Sequence, residues 1–175
     1  MSLDATPVDF EEFVRQGNAW AEQGRLADAI EAYVRAIELN PGHAPAHNNL
    51  GVVLRQMNHL DEAESCFRQA IALDPNYADA YRNLGVVHQK KERNEAAAQA
   101  YLHSLQLDPN NAAVYSDLGN FLFGQKRLDE AIQSYEAALS LKPDFPVAEW
   151  NRGLAYLMKG ELEPGWAGNE LRLHY

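Results

Sequence analysis

The chain has 175 residues, 46% of them hydrophobic, with 15 Lys and Arg against 25 Asp and Glu and a single cysteine, Cys66. A net charge of −10 excludes the broad basic footprint that phosphate-backbone binding requires, so nucleic acid is not an expected partner. One cysteine makes neither an internal disulfide nor a multi-cysteine zinc site, and no run of about 18 apolar residues occurs, so a cytoplasmic protein that does not enter the membrane is expected.

Residues 1–9 carry Asp4 and Asp9 and no apolar run, which predicts a disordered N-terminal segment rather than a signal peptide. From Phe10 onward the chain is periodic. Proline recurs at Pro41, Pro75, Pro109 and Pro143, each interval being 34 residues. Glycine keeps the same register at Gly17, Gly51, Gly85, Gly119 and Gly153, alanine at Ala29, Ala63, Ala97 and Ala131, and an aromatic ring at Tyr33, Phe67, Tyr101 and Tyr135. The predicted units are 10–43, 44–77, 78–111 and 112–145, followed by a degenerate fifth unit or capping segment at 146–175.

Within each unit the apolar residues follow helical spacing, as in Ala46, Leu50, Val53 and Leu54, then Leu60, Ala63, Phe67, Ala70 and Ile71. Two helices per unit are predicted, with tight turns at Gln23-Gly24, Met57-Asn58 and Lys159-Gly160. Asn40-Pro41, Asp74-Pro75 and Asp108-Pro109 end the second helices, because proline cannot continue them. A glycine inside a helix costs about 1 kcal/mol relative to alanine. Its recurrence therefore predicts a close approach, here of the paired helix against Ala29 and its equivalents.

The order leucine-glycine, alanine, aromatic, alanine and proline, shown best by Leu50-Gly51, Ala63, Phe67, Ala70 and Pro75, resembles the tetratricopeptide repeat. The resemblance implies an all-α, right-handed superhelical solenoid of helix-turn-helix repeats acting as a protein-interaction scaffold. It also implies that the first helices line a concave groove. The groove residues are then Asn18, Asn48, Asn49, Arg55, Arg82, Asn83, Lys90, Asp117, Asn120, Phe123 and Asn151. Asn49, Asn83 and Asn151 share one register position, with Asp117 completing it. Such amides suit either the backbone of an extended peptide or the neighbouring repeat. Arg55, Arg82 and Lys90 form a modest basic centre, open to a carboxylate or merely solvated. The clamp by which some members of the family hold a C-terminal Glu-Glu-Val-Asp is not expected, since Val14, Asp79 and Asn83 stand where it needs basic side chains.

Toward the C-terminus Trp150, Leu154, Leu157, Met158 and Trp166 make an apolar face, which predicts either a folded-back cap or self-association into a homodimer. The stretch from Trp150 through Gly165-Trp166 to Arg172 also resembles the junction by which bacterial tetratricopeptide arrays lead into a sugar-transfer domain. A non-catalytic recognition or regulatory module of a glycosyltransferase is the alternative reading. No phosphate cradle, nucleophile elbow or His-Glu-x-x-His occurs, so no catalytic residue, metal or cofactor is expected. His43 and His47 stand four apart, but Pro45 between them places His43 in the preceding turn. His88 reads as a satisfied packing residue in place of an interior aromatic, Cys66 as a small packing residue, and Asp61, Glu62 and Glu64 as negative charge at a helix start.

Overall fold

The computed structural model describes residues 9–161, which form nine α-helices and no strand among those residues. The helices are α1 (Phe10–Glu22), α2 (Leu26–Leu39), α3 (Ala44–Gln56), α4 (Leu60–Leu73), α5 (Ala78–Lys90), α6 (Asn94–Leu107), α7 (Ala112–Gly124), α8 (Leu128–Leu141) and α9 (Pro146–Lys159). This is the all-α, helix-turn-helix solenoid architecture that the repeat resemblance implies. Contacts divide the chain into two compact units, Met1–Arg93 and Asn94–Tyr175, so that the boundary falls between α5 and α6.

In the first unit α1 packs on α2 and α3 on α4, while α2 meets α3, α4 meets α5, and the first helices α1, α3 and α5 are neighbours in turn. In the second unit α7 packs between α6 and α8, and α9 rests on α8 and α7. Helix ends follow from local chemistry. Asp9, His43 and Asn111 cap α1, α3 and α7 by accepting backbone N–H bonds through their side chains. Of the segment 1–9 only Asp9, the cap of α1, is among the described residues; the rest of that segment, and any cap after Glu161, lie outside them. Past α2 and α4, the side chains of Asn40 and Asp74 accept from the N–H two residues on, and Asp108 does so past α6.

The turns inside the helix pairs repeat one backbone conformation. Gly24, Asn58, Glu92, Lys126 and Gly160 all have positive φ, from 56° at Glu92 to 87° at Gly160, and all occupy one register position. The glycines within the first helices answer to a different partner from the one expected. A Cβ at Gly17 would come within 2.6 Å of the Tyr33 ring, at Gly51 within 2.7 Å of Phe67, and at Gly119 within 2.5 Å of Tyr135. It is the aromatic ring of the second helix, and not the small alanine beside it, that needs the missing side chain. Tyr33, Phe67 and Tyr135 are almost wholly buried, each such burial contributing about 1.5–3 kcal/mol. Around Tyr33 the core gathers Ala29, Leu50 and Val53, with Trp20, Leu54 and Cys66 at its edge.

Candidate functional site

On the first-helix side, asparagine side chains join neighbouring repeats. Asn49 Nδ2 donates to Asn18 Oδ1 at 3.1 Å, and the Tyr33 hydroxyl donates to the same oxygen at 2.7 Å. Three repeat lengths later the arrangement recurs: Asn151 Nδ2 donates to Asn120 Oδ1 at 2.8 Å, and Tyr135 donates to it at 2.9 Å. Between α3 and α5 the pairing shifts by one helical turn, because Val52 stands in the register position of Asn18 and Asn120 and Asn48 lies four residues before it. There Asn83 Nδ2 donates to Asn48 Oδ1 at 3.0 Å, both residues being buried, and Asn48 Nδ2 donates to Asn49 Oδ1 at 3.3 Å. Each of the three register asparagines thus holds its own repeat to the preceding one. A buried carboxamide left unbonded would cost about 1–3 kcal/mol, which is the physical reason for the pairing.

The remaining expected groove residues are dispersed. Arg55, Arg82 and Asp117 are half-buried and have interactions of their own within the protein, while Lys90 is exposed. Near the C-terminal end, Trp150, Leu154 and Leu157 are half-buried and Met158 is 58% exposed. Trp166 lies outside the described residues.

Within the second unit Asn120, Phe123, Tyr135, Asn151 and Leu154 line an open recess of about 110 Å³. Helix α7 supplies Asn120 and Phe123, α8 supplies Tyr135, and α9 supplies Asn151 and Leu154. The sequence pointed to four of these five; Tyr135 read only as packing. Its hydroxyl could have been suspected because the ring and both asparagines repeat the register of Tyr33, Asn18 and Asn49. Burial raises the Tyr135 hydroxyl above its ordinary value, so it is protonated and donates at neutral pH.

A second polar cluster lies between α4 and α5. Glu64 is buried, and its carboxylate accepts from Arg68 at 2.9 Å, Lys91 at 2.7 Å and Arg93 at 3.0 Å. Burial alone would raise this carboxyl, but hydrogen bonds from Lys91 and Arg68 and the charges of Lys91 and Arg93 hold it down at about 2. Lys91 also bonds Asp61 at 2.5 Å. Asp61 and Glu64 at the start of α4 are therefore a clamp onto the end of α5, and not merely charge at a helix start. His88 is buried beside this cluster, and its Nδ1 has no hydrogen-bond partner among the described residues, so it is a packing residue left partly unsatisfied. Burial lowers the imidazole below its ordinary value against the opposing pull of Glu64. Sequence signals existed for both: Glu64 stands in register with Ile30, Ala98 and Ile132, and His88 with Trp20, Leu54, Leu122 and Tyr156.

His43 and His47 behave as structural residues. His43 Nδ1 accepts from the Ala46 N–H at 3.2 Å, and His47 Nε2 lies 3.0 Å from the Pro41 carbonyl. The Cys66 thiol is pushed up to about 11 by burial, which suits packing and not nucleophilic chemistry. No group of three His, Cys, Asp or Glu side chains suited to a metal occurs among the described residues. No helix among them is long and apolar enough to cross a membrane.

A family model described as TPR repeat matches residues 17–58, 53–92 and 119–160, and models described as tetratricopeptide repeat match 78–111 and 100–133. No curated protein matches the chain. Among solved structures, a MamA protein is 25% identical over 92% of this chain and 88% of its own, with a TM-score of 0.73. PilF from Pseudomonas aeruginosa is 24% identical over 93% of this chain and 74% of its own, with a TM-score of 0.84. YrrB, described as a TPR protein with an unusual peptide-binding site, is 24% identical over 89% and 80%, with a TM-score of 0.65. These similarities support a protein-interaction scaffold of a kind that is typically non-catalytic.

Proposed function

The chain belongs to the tetratricopeptide repeat family, and from that premise we propose that it holds an extended segment or helix of a partner protein against its first-helix face, in the cytoplasm and without a cofactor. The supporting observation is the side-chain bonding between first helices, Asn18 to Asn49, Asn48 to Asn83 and Asn120 to Asn151. A face ordered in this way before its partner arrives loses less conformational entropy on binding. The test is a display selection of random peptides against the whole chain, with enriched peptides mapped by hydrogen exchange. Protection concentrated on α1, α3, α5, α7 and α9 is the expected result. Protection confined to α2, α4 and α8, or no enrichment, would remove this reading.

Exposure of Val147 at 56% and Met158 at 58% on α9 favours a second reading, self-association through the C-terminal face. Light scattering over a wide concentration range distinguishes it. A dimer abolished by Met158→Glu supports self-association, and a monomer throughout excludes it.

A further inference from the structure

Where one repeat meets the next, the start of a second helix faces the end of the following first helix. Between α2 and α3 this seam is apolar, with Ile30 and Leu54 packed on one core. Ile132 of α8 and Tyr156 of α9 hold the same two register positions. At α4 and α5 those positions carry Glu64 and His88, two titratable groups, and both are more than nine-tenths buried.

The carboxylate is matched and the imidazole is not. Glu64 Oε1 accepts from Arg68 and Arg93, and Oε2 accepts from Lys91 and Arg93. His88 Nδ1 has no hydrogen-bond partner among the described residues. The charged groups acting on its ring are Glu64 and Arg68 of α4 and Lys91 and Arg93 of the turn after α5; α3, also packed on α5, adds none. A proton on His88 makes a fourth cation around a carboxylate that already has three. Both ring nitrogens are then donors, and Nδ1 meets no acceptor in place. The His88 carbonyl also accepts the backbone N–H of Lys91 at 3.1 Å and of Arg93 at 2.9 Å, so the residue that takes the proton also closes the turn bearing two of the cations. Nearer the start of α5, Asn83 is held to Asn48 by a buried hydrogen bond. A proton on His88 therefore bears on the end of α5 and not on its start.

We propose that the α4–α5 seam is an acid-operated latch: when His88 takes up a proton, the end of α5 and the turn 91–93 let go of Glu64, while α1 to α4 and the start of α5 keep their packing. In the opened form water solvates the imidazolium, so the proton is held more tightly there than in the closed form, and that difference drives the opening. With the ordinary imidazole value of 6.5 in the opened form, the opened fraction rises by at most about tenfold between about pH 7.5 and 5.5. The latch needs no partner and stands or falls apart from the partner-holding function.

The test is backbone hydrogen exchange of the whole chain from about pH 7.5 to 5.5, corrected for the intrinsic exchange rate at each pH and read at the Arg93 amide. Arg25 and Arg127 stand in the same register, and their N–H groups close the equivalent turns onto the carbonyls of Trp20 at 2.9 Å and Leu122 at 3.0 Å. They serve as references in the same sample. Protection at Arg93 should fall toward about tenfold on acidification, while protection at Arg25 and Arg127 stays level. His88→Leu installs the residue that Leu54 and Leu122 supply in the same register, and it should hold the Arg93 protection level as well. A second readout needs no variant: the His88 ring signals, followed by NMR in the unaltered chain, should titrate with a midpoint below 6.5. An equal loss at all three arginine amides, level protection at Arg93 in the unaltered chain, the same fall in His88→Leu, or a His88 midpoint at or above 6.5 overturns the latch.

Discussion

The α1–α3 region and the α7–α9 region build the same three-residue bridge from the same register positions, yet the second borders a recess walled by Phe123 and Leu154 where the first has Ala21 and Val52. In both, an asparagine oxygen accepts from a buried tyrosine and from the next repeat's asparagine. The difference lies one residue away. Asn48 beside Asn49 donates to its oxygen, whereas Trp150 occupies that place beside Asn151, and Ala21 gives way to Phe123 at the rim. The same repeated bridge can therefore sit in different surroundings, set by neighbours that the bridge itself does not dictate. The region between α3 and α5 is a third solution. Phe67 has no hydroxyl to donate, and the repeats are held instead by buried Asn48–Asn83 pairing and by the Glu64 clamp.

Removing that clamp should break the comparison most severely. Glu64→Ala leaves the largely exposed Arg68 and Arg93 without this partner while Lys91 keeps Asp61, and a loss of about 2–3 kcal/mol is expected in urea unfolding. Removing Glu130, which pairs with Arg127 on the surface, should leave the urea midpoint nearly unchanged. Equal effects at the two sites would show that burial adds nothing to the Glu64 contacts.

Acid should unfold the protein through the same region. The Glu64 carboxyl is held at about 2 in the folded chain against an ordinary 4.5, so its contribution is full above 4.5 and is lost as pH falls toward 2. His88 is held below its ordinary 6.5, so the unfolded chain takes up that proton first and stability declines from about pH 6.5 downward. Melting temperature against pH should show both stages, and His88→Leu should abolish the upper one alone. A flat profile between pH 7 and 5 in the unaltered chain would contradict this account.

The two bridges should differ by a smaller amount. Asn120 is half-buried over a buried Tyr135, and Asn120→Leu should cost about 1–3 kcal/mol; Asn18 is exposed, water can replace it, and Asn18→Leu should cost under about 1 kcal/mol. A double-mutant cycle with Tyr135→Phe measures how much belongs to the hydroxyl bond. Smallest of all is the effect at the positive-φ turn. Glu92→Gly should stabilise by roughly 0.5–1 kcal/mol, since Gly24 and Gly160 hold that conformation without a side chain to crowd it. A lower melting temperature in Glu92→Gly would mean that the Glu92 side chain contributes something its backbone geometry does not reveal.

Periodicity made the helices, their turns and their proline stops legible, because those features follow from local spacing and backbone chemistry. It also placed the asparagines on the first helices, Asn18 and Asn120 at one register position and Asn49 and Asn151 at another. It did not reveal which of their atoms remain available. Hydrogen-bond partners of a carboxamide depend on side chains brought in from other helices, such as Tyr135 on α8 or Asn48 beside Asn49. Glu64 and His88 show the same division. Each interrupts an apolar register and is visible as an anomaly in the sequence, but only the packing of α4 on α5 makes Glu64 the shared partner of three cations with a buried imidazole beside it. The sequence alone determined the repeat, its two-helix form and the family, since these are written in spacing that each unit restates. Tertiary structure decided which glycine meets which ring, which amides bond across repeats and where a recess is left, because those outcomes depend on distances between residues that the chain itself keeps far apart.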